Sequence, residues 1–148
     1  MSGMRPPSAG TVRLVVIATI ALTAFHFTDN VVAIDTYPAP SWQPGWFPAV
    51  VALSWPVFTL VGVLGYRSYR DGDFERAHGF LAFYSVSGLV SLGHFLYGSP
   101  SELTTRGVVS VLIDAVAGTV VLAVTAWSVL ARRRARAQAR GETAVPRA

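Results

Sequence analysis

The stretch WFPAVVALSWPVFTLVGVLGY, residues 46–66, decides the fold, because its 21 residues carry no Asp, Glu, Lys, Arg or His. A helix of that length rises about 30 Å, the thickness of a bilayer's hydrocarbon core. Three further runs share the character. Residues 11–25 hold only Arg13, residues 79–97 only His94, and residues 107–131 only Asp114. A soluble four-helix bundle would show stripes of Lys and Glu on its outer faces, and these runs have none.

Composition agrees. The chain has 148 residues, enough for one domain, of which 52% are hydrophobic and 14% charged, and its mean hydropathy is +0.46. The expected fold is an all-α polytopic membrane protein, an antiparallel four-helix transmembrane bundle within residues 11–131. Its helices are expected near 11–30, 46–66, 78–97 and 107–131. Residues 1–10 read as a disordered leader and residues 132–148 as a basic tail. The first run resembles a secretory signal at its start, but stays apolar to Phe27 without a small-x-small cleavage site, so it reads as a retained helix.

Orientation follows from arginine, since all twelve Lys+Arg positions are Arg. With the N-terminus cytoplasmic, eleven of the twelve lie inside and only Arg106 lies outside, as the positive-inside tendency requires. Both termini are therefore expected to be cytoplasmic, and the membrane is read as the plasma membrane of the cell. The run RRRARAQAR, residues 132–140, follows a span directly. It reads as an anchor drawn to anionic headgroups rather than as a nucleic-acid site. With no cysteine there is no disulfide framework, thiolate nucleophile or thiolate metal ligand.

Between the first two spans, IDTYPAPSWQPGW carries Pro38, Pro40, Pro44 and Gly45, which exclude a helix. Tyr37, Trp42 and Trp46 fit an aromatic belt at the outer interface. The YRSYRDGDFERAH segment reads as a solvated hairpin turning at Asp71 and Gly72, with His78 in an exposed pair with Glu75.

Polar residues inside the runs recur at helical spacing. Thr19, Thr23, His26 and Asn30 share one face of the first helix, with Asp29 three residues after His26. Tyr84, Ser87, Ser91 and His94 share a face of the third, and Ser110, Asp114 and Gly118 a face of the fourth. A central Asp facing lipid costs about 2.5 to 3.5 kcal/mol, so these faces should point at one another. The candidate site is a pocket in the outer leaflet formed by His26, Asp29, Asn30, Tyr84, His94 and Asp114, roofed by the proline-rich loop and Trp46.

Several uses of such a site compete. It suits a small lipophilic ligand, with Asp114 and a histidine able to exchange a proton. It could also hold haem through His26 and His94, or a transition metal through His26, His94 and Asp114, although no HExxH-like spacing supports a metal. A third reading is a structural role, with Asp114 fixing helix register and a small-residue face at Ala115, Thr119 and Ala123 mediating homo-oligomer or membrane-partner contacts. Between enzyme and non-enzyme the residues slightly favour the latter.

The His and Asp of the first helix, YP in the loop, PGWF opening the second helix and FYSVSGLVSL in the third resemble the EXPERA-type four-span membrane proteins, which include sterol isomerases. The resemblance implies a sterol-like or other lipid ligand, and isomerase chemistry, in a cavity between the helices. The acidic residue that family carries on its second span has no counterpart here, where Leu53, Ser54 and Trp55 stand.

Overall fold

The computed structural model describes residues 4–38 and 42–141. Residues 1–3 of the expected leader, Pro40 of the loop and residues 142–148 of the expected tail lie outside them. The described chain is all-helical. It has α1 (Ala9–Val32), α2 (Phe47–Arg70), α3 (Phe74–Leu89) and α4 (Thr105–Ala139), with 3-10 segments at Ile34–Thr36, Val90–Leu96 and Pro100–Glu102. Four helices, counting α3 with its 3-10 extension, are long and apolar enough to cross a membrane. Their main contacts form a ring in which each helix packs on its two neighbours in chain order, with α4 closing on α1. One end of this ring carries both chain termini and the α2–α3 turn; the other, distal end carries the α1–α2 and α3–α4 connections.

The helix ends differ from those expected, for local reasons. Ser8 starts α1 two residues early, its Oγ accepting from the Thr11 N–H at 3.0 Å. Pro7, within the expected leader, is buried, and its carbonyl accepts from the Tyr69 hydroxyl at 2.7 Å. Asp73 caps α3 ahead of residue 78, after a turn in which Gly72 takes φ +86°. Thr104 caps α4 through the Gly107 N–H at 3.0 Å. α4 then runs on through four arginines of the expected tail, because Ala, Arg and Gln are good helix formers.

His78 is not in an exposed pair with Glu75. It lies against α4, with Nε2 2.9 Å from Ser128 Oγ, and Ser128 in turn donates to the Tyr69 hydroxyl at 3.3 Å. The Arg132 guanidinium sits 3.0 Å from the centre of the Phe74 ring, so the first arginine of the basic run is spent on packing as well as charge.

The terminal half of the bundle has an ordinary apolar core of Val12, Val16, Tyr69, Ala77, Leu81, Tyr84 and Val121. Glycines set its helix spacing. A Cβ on Gly62 would strike the Tyr84 ring, and one on Gly65 would strike Leu81, as the small-residue rule for close helix approach requires. Gly88 and Gly118 mark the tightest crossing, where α3 and α4 meet backbone to backbone. Ala115, expected on an outer assembly face, is buried within the chain.

Candidate functional site

The polar faces turn inward together. Thr19, Thr23, His26, Asp29 and Asn30 of α1 are buried, as are Tyr84, Ser87 and Ser91, and Ser110 and Asp114 of α4. His94 is half-buried. Its placement depends on the 3-10 stretch Val90–Leu96, where three residues per turn set His94 directly above Ser91. Ser91 ties that stretch to α4 by donating to the Val111 carbonyl at 3.2 Å.

At the distal end α1 stops, the chain turns through Ile34–Thr36, and Tyr37 folds back over the helix it has just left. Its hydroxyl donates to Asp29 Oδ2 at 2.5 Å and lies 3.3 Å from Ser110 Oγ. Arg106, in the first turn of α4, reaches across and places Nε 2.5 Å from Asp29 Oδ1. Its own side chain is 60% exposed while that of Asp29 is 2% exposed. A surface guanidinium thus neutralises a carboxylate that has left water, which is what makes burial of the carboxylate tolerable. Burial, followed by the bond to Asp29, pushes the Tyr37 phenol up to about 12. Tyr37 therefore holds its proton at physiological pH and acts as a hydroxyl donor.

Deeper, His26 Nδ1 lies 2.7 Å from Ser110 Oγ, and His26 Nε2 lies 3.8 Å from Asp114 Oδ2. Asp114 is fully buried and neither of its oxygens has a hydrogen-bond partner. His94 Nε2 is 3.0 Å from Asn30 Nδ2. Its ring stands 5.8 Å from that of His26 and 4.6 Å from that of Tyr37, centre to centre.

Beside this network, between α1, α2 and the end of α3, is a cavity of about 400 Å³. His26, Asn30 and His94 supply its polar wall. Pro38 and Trp42 of the connection border it, and Phe47, Val50, Val51, Phe58 and Val90 give it an apolar body. Of the residues expected to line a pocket, Asp29, Tyr84, Asp114 and Trp46 do not. The two aspartates lie behind His26, toward α4. Tyr84 is committed to the terminal core, and Trp46 is 65% exposed at the start of α2.

His26 Nδ1 is engaged by Ser110 and His94 Nε2 by Asn30, with the two ring centres 5.8 Å apart. Among the described residues no group of three or more His, Asp or Glu is disposed to hold a metal ion.

Arg106 and Tyr37 entered the sequence reading only as a topology marker and an interface aromatic, yet both hold Asp29. Ser110 was visible on the polar face of the fourth helix but not as the link between His26 and Tyr37. No family model matches this chain, and no curated protein or solved structure matches it.

Proposed function

We propose that this chain is a multi-pass protein of the cell membrane, with both termini cytoplasmic, that binds a small lipophilic molecule in the cavity between α1, α2 and α3. The cavity carries the reading. Its volume of about 400 Å³ falls within the range of small-molecule sites, about 300 to 1,000 Å³. It also joins an apolar body to a small convergent set of polar groups, the usual recipe for binding a lipophile in one orientation. The four apolar helices support the membrane part, as do the exposed Leu14, Ile17, Leu53, Val57, Leu60 and Val116 on their outer faces. Eleven of the twelve arginines would then face the cytoplasm, with Arg133 and Arg134 exposed toward anionic headgroups.

The test is native mass spectrometry of detergent-purified protein, followed by solvent extraction of any retained molecule. Gly93 lines the cavity and a Cβ there meets nothing within 4 Å, so Gly93→Phe should fill the space without disturbing the fold. Wild type is expected to retain an apolar small molecule that Gly93→Phe loses. Equal retention by both proteins, or none by either, refutes the reading.

A further inference from the structure

Asp29, Tyr37, Ser110, His26 and Asp114 form a series of four steps, three within hydrogen-bond distance and the last, from His26 to Asp114, a wider ion-pair separation. Successive polar atoms are separated by 2.5 Å, 3.3 Å, 2.7 Å and 3.8 Å. The series begins beneath the exposed Arg106 at the distal surface and ends on a carboxylate with no exposure and no hydrogen-bond partner. Every member can give and take a proton through a different atom or by rotating a hydroxyl. A structural network that merely fixed register would leave its last carboxyl group satisfied, since an unpartnered buried polar group costs about 1 to 3 kcal/mol.

We infer that these five side chains are a one-sided proton wire, which loads and unloads the His26–Asp114 pair from the distal surface. In the outward sense, Asp114 gives its proton to His26 Nε2 and His26 releases the one on Nδ1 to Ser110. Ser110 passes its own to the Tyr37 oxygen, and Tyr37 gives its hydroxyl proton to Asp29. His26, Ser110 and Tyr37 each gain one proton and lose one, while Asp114 loses one and Asp29 gains one. The net change is one proton moved from Asp114 to Asp29, from which it reaches water. Inward transfer is the reverse, after the hydroxyls have turned.

Other titratable groups surround the wire. His94 stands beside His26, Tyr84 faces Asp114 from α3, and Arg106 caps Asp29. Neither His94, which bonds Asn30, nor the Tyr84 hydroxyl is hydrogen-bonded to a member of the wire. Toward the terminal end lie the apolar core of Val12, Val16, Leu81 and Val121 and buried hydroxyls, of which Thr23, Ser85 and Thr125 donate to carbonyls of their own helices, so no member of the wire is hydrogen-bonded in that direction. His26 is also part of the cavity wall. If the proposed lipophile carries a proton-accepting group, His26 can protonate it and refill from Asp29. That last step rests on the ligand reading; the wire does not.

The experiment is time-resolved infrared spectroscopy of ligand-free protein in nanodiscs after a jump from H2O to D2O buffer. The carboxyl band of Asp114 is identified by its loss in Asp114→Asn. Tyr37→Phe should slow deuterium exchange at that band by about a hundredfold, the low end of what a positioned proton-transfer group contributes. Ser110→Ala, which removes one oxygen inside α4, should do the same, and carries the test if Tyr37→Phe does not fold. Val116→Ala, on the exposed outer face of α4, should leave the exchange rate unchanged, and because exchange is read on ligand-free protein while retention is read separately by mass spectrometry, the two readings fail separately. Wild-type exchange rates in the folded hydroxyl variants, or no band that depends on Asp114, overturn the wire.

Discussion

In the terminal half of the bundle Val12, Val16, Leu81, Tyr84 and Val121 meet side chain to side chain, with Gly62 and Gly65 cut to fit Tyr84 and Leu81. In the distal half the same four helices enclose Asp29, His26, Ser110 and Asp114 on one side and a cavity of about 400 Å³ on the other. For four helices apolar enough to span a bilayer, which would supply no hydrophobic drive between them, close packing is the main source of cohesion. The terminal half has that packing and the distal half gives part of it up. Polar groups and a cavity stand there where apolar side chains would pack better, and the proposed binding of a lipophile rests on that difference.

The sharpest way to break this division is at its border, where α3 crosses α4. A side chain on Gly88 would overlap the backbone of Asp114 and Gly118, and backbone has no rotamer to escape into. Gly88→Val should therefore cost about 3 kcal/mol or more, seen as loss of the monodisperse fraction on size exclusion and a collapsed melting temperature in detergent. A variant as stable as wild type would mean that the helices do not meet there.

One truncation in each half compares the two, with the smaller side chain of valine accounting for part of the difference. Leu81→Ala removes a side chain that is 2% exposed and packed on Gly65, and should cost about 3 kcal/mol. Val51→Ala removes a side chain that already borders the cavity, adds to existing space, and should cost less than about 1 kcal/mol. Thermal melts of both in one detergent decide the matter, and equal losses would erase the distinction between the halves.

The ion pair at the distal rim comes next. Arg106→Leu strands the Asp29 carboxylate with Tyr37 alone. The cost should be about 2 kcal/mol, below the 3 to 5 kcal/mol of a fully buried pair because the guanidinium remains partly in water. The double variant Asp29→Leu with Arg106→Leu should be more stable than Arg106→Leu by itself, since no charge is then stranded. A double-mutant cycle from melting curves measures the coupling. An additive result would mean that the two side chains do not interact.

How far the sequence reached into each half has a physical explanation. Periodicity of about 3.6 marks any residue on a regular helix, so the stripes through His26, Ser87 and Asp114 were legible before any coordinates. So were the four helices. Tyr37 and Arg106 escaped for the opposite reason. Tyr37 lies just beyond a 3-10 turn in a connection, where no period applies, and it looks like an interface anchor until its hydroxyl is seen on Asp29. Arg106 is a surface cation whose reach depends on how the start of α4 sits against the end of α1. Contacts such as those joining residues 37 and 26 to Ser110 span 73 and 84 positions, and nothing local encodes which face meets which. The same limit explains Trp46, whose neighbour Trp42 lies four positions earlier in an irregular segment.

Those two tryptophans give the finest test. Both are strongly exposed, at 72% for Trp42 and 65% for Trp46, so neither substitution should shift the melting temperature much. Trp42 nevertheless borders the cavity and Trp46 does not. If a lipophile occupies the space, Trp42→Ala removes one edge of apolar contact and should weaken its retention by about threefold to tenfold. Trp46→Ala should leave retention as in wild type, because its ring meets water or lipid headgroups rather than the bound molecule. Competition between the two variants for a limiting amount of the extracted molecule, read by native mass spectrometry, resolves a difference of that size. Should Trp46→Ala prove the weaker binder, the mouth of the cavity lies toward the start of α2 instead of toward the connection, and the polar wall of His26, Asn30 and His94 would be approached from the side.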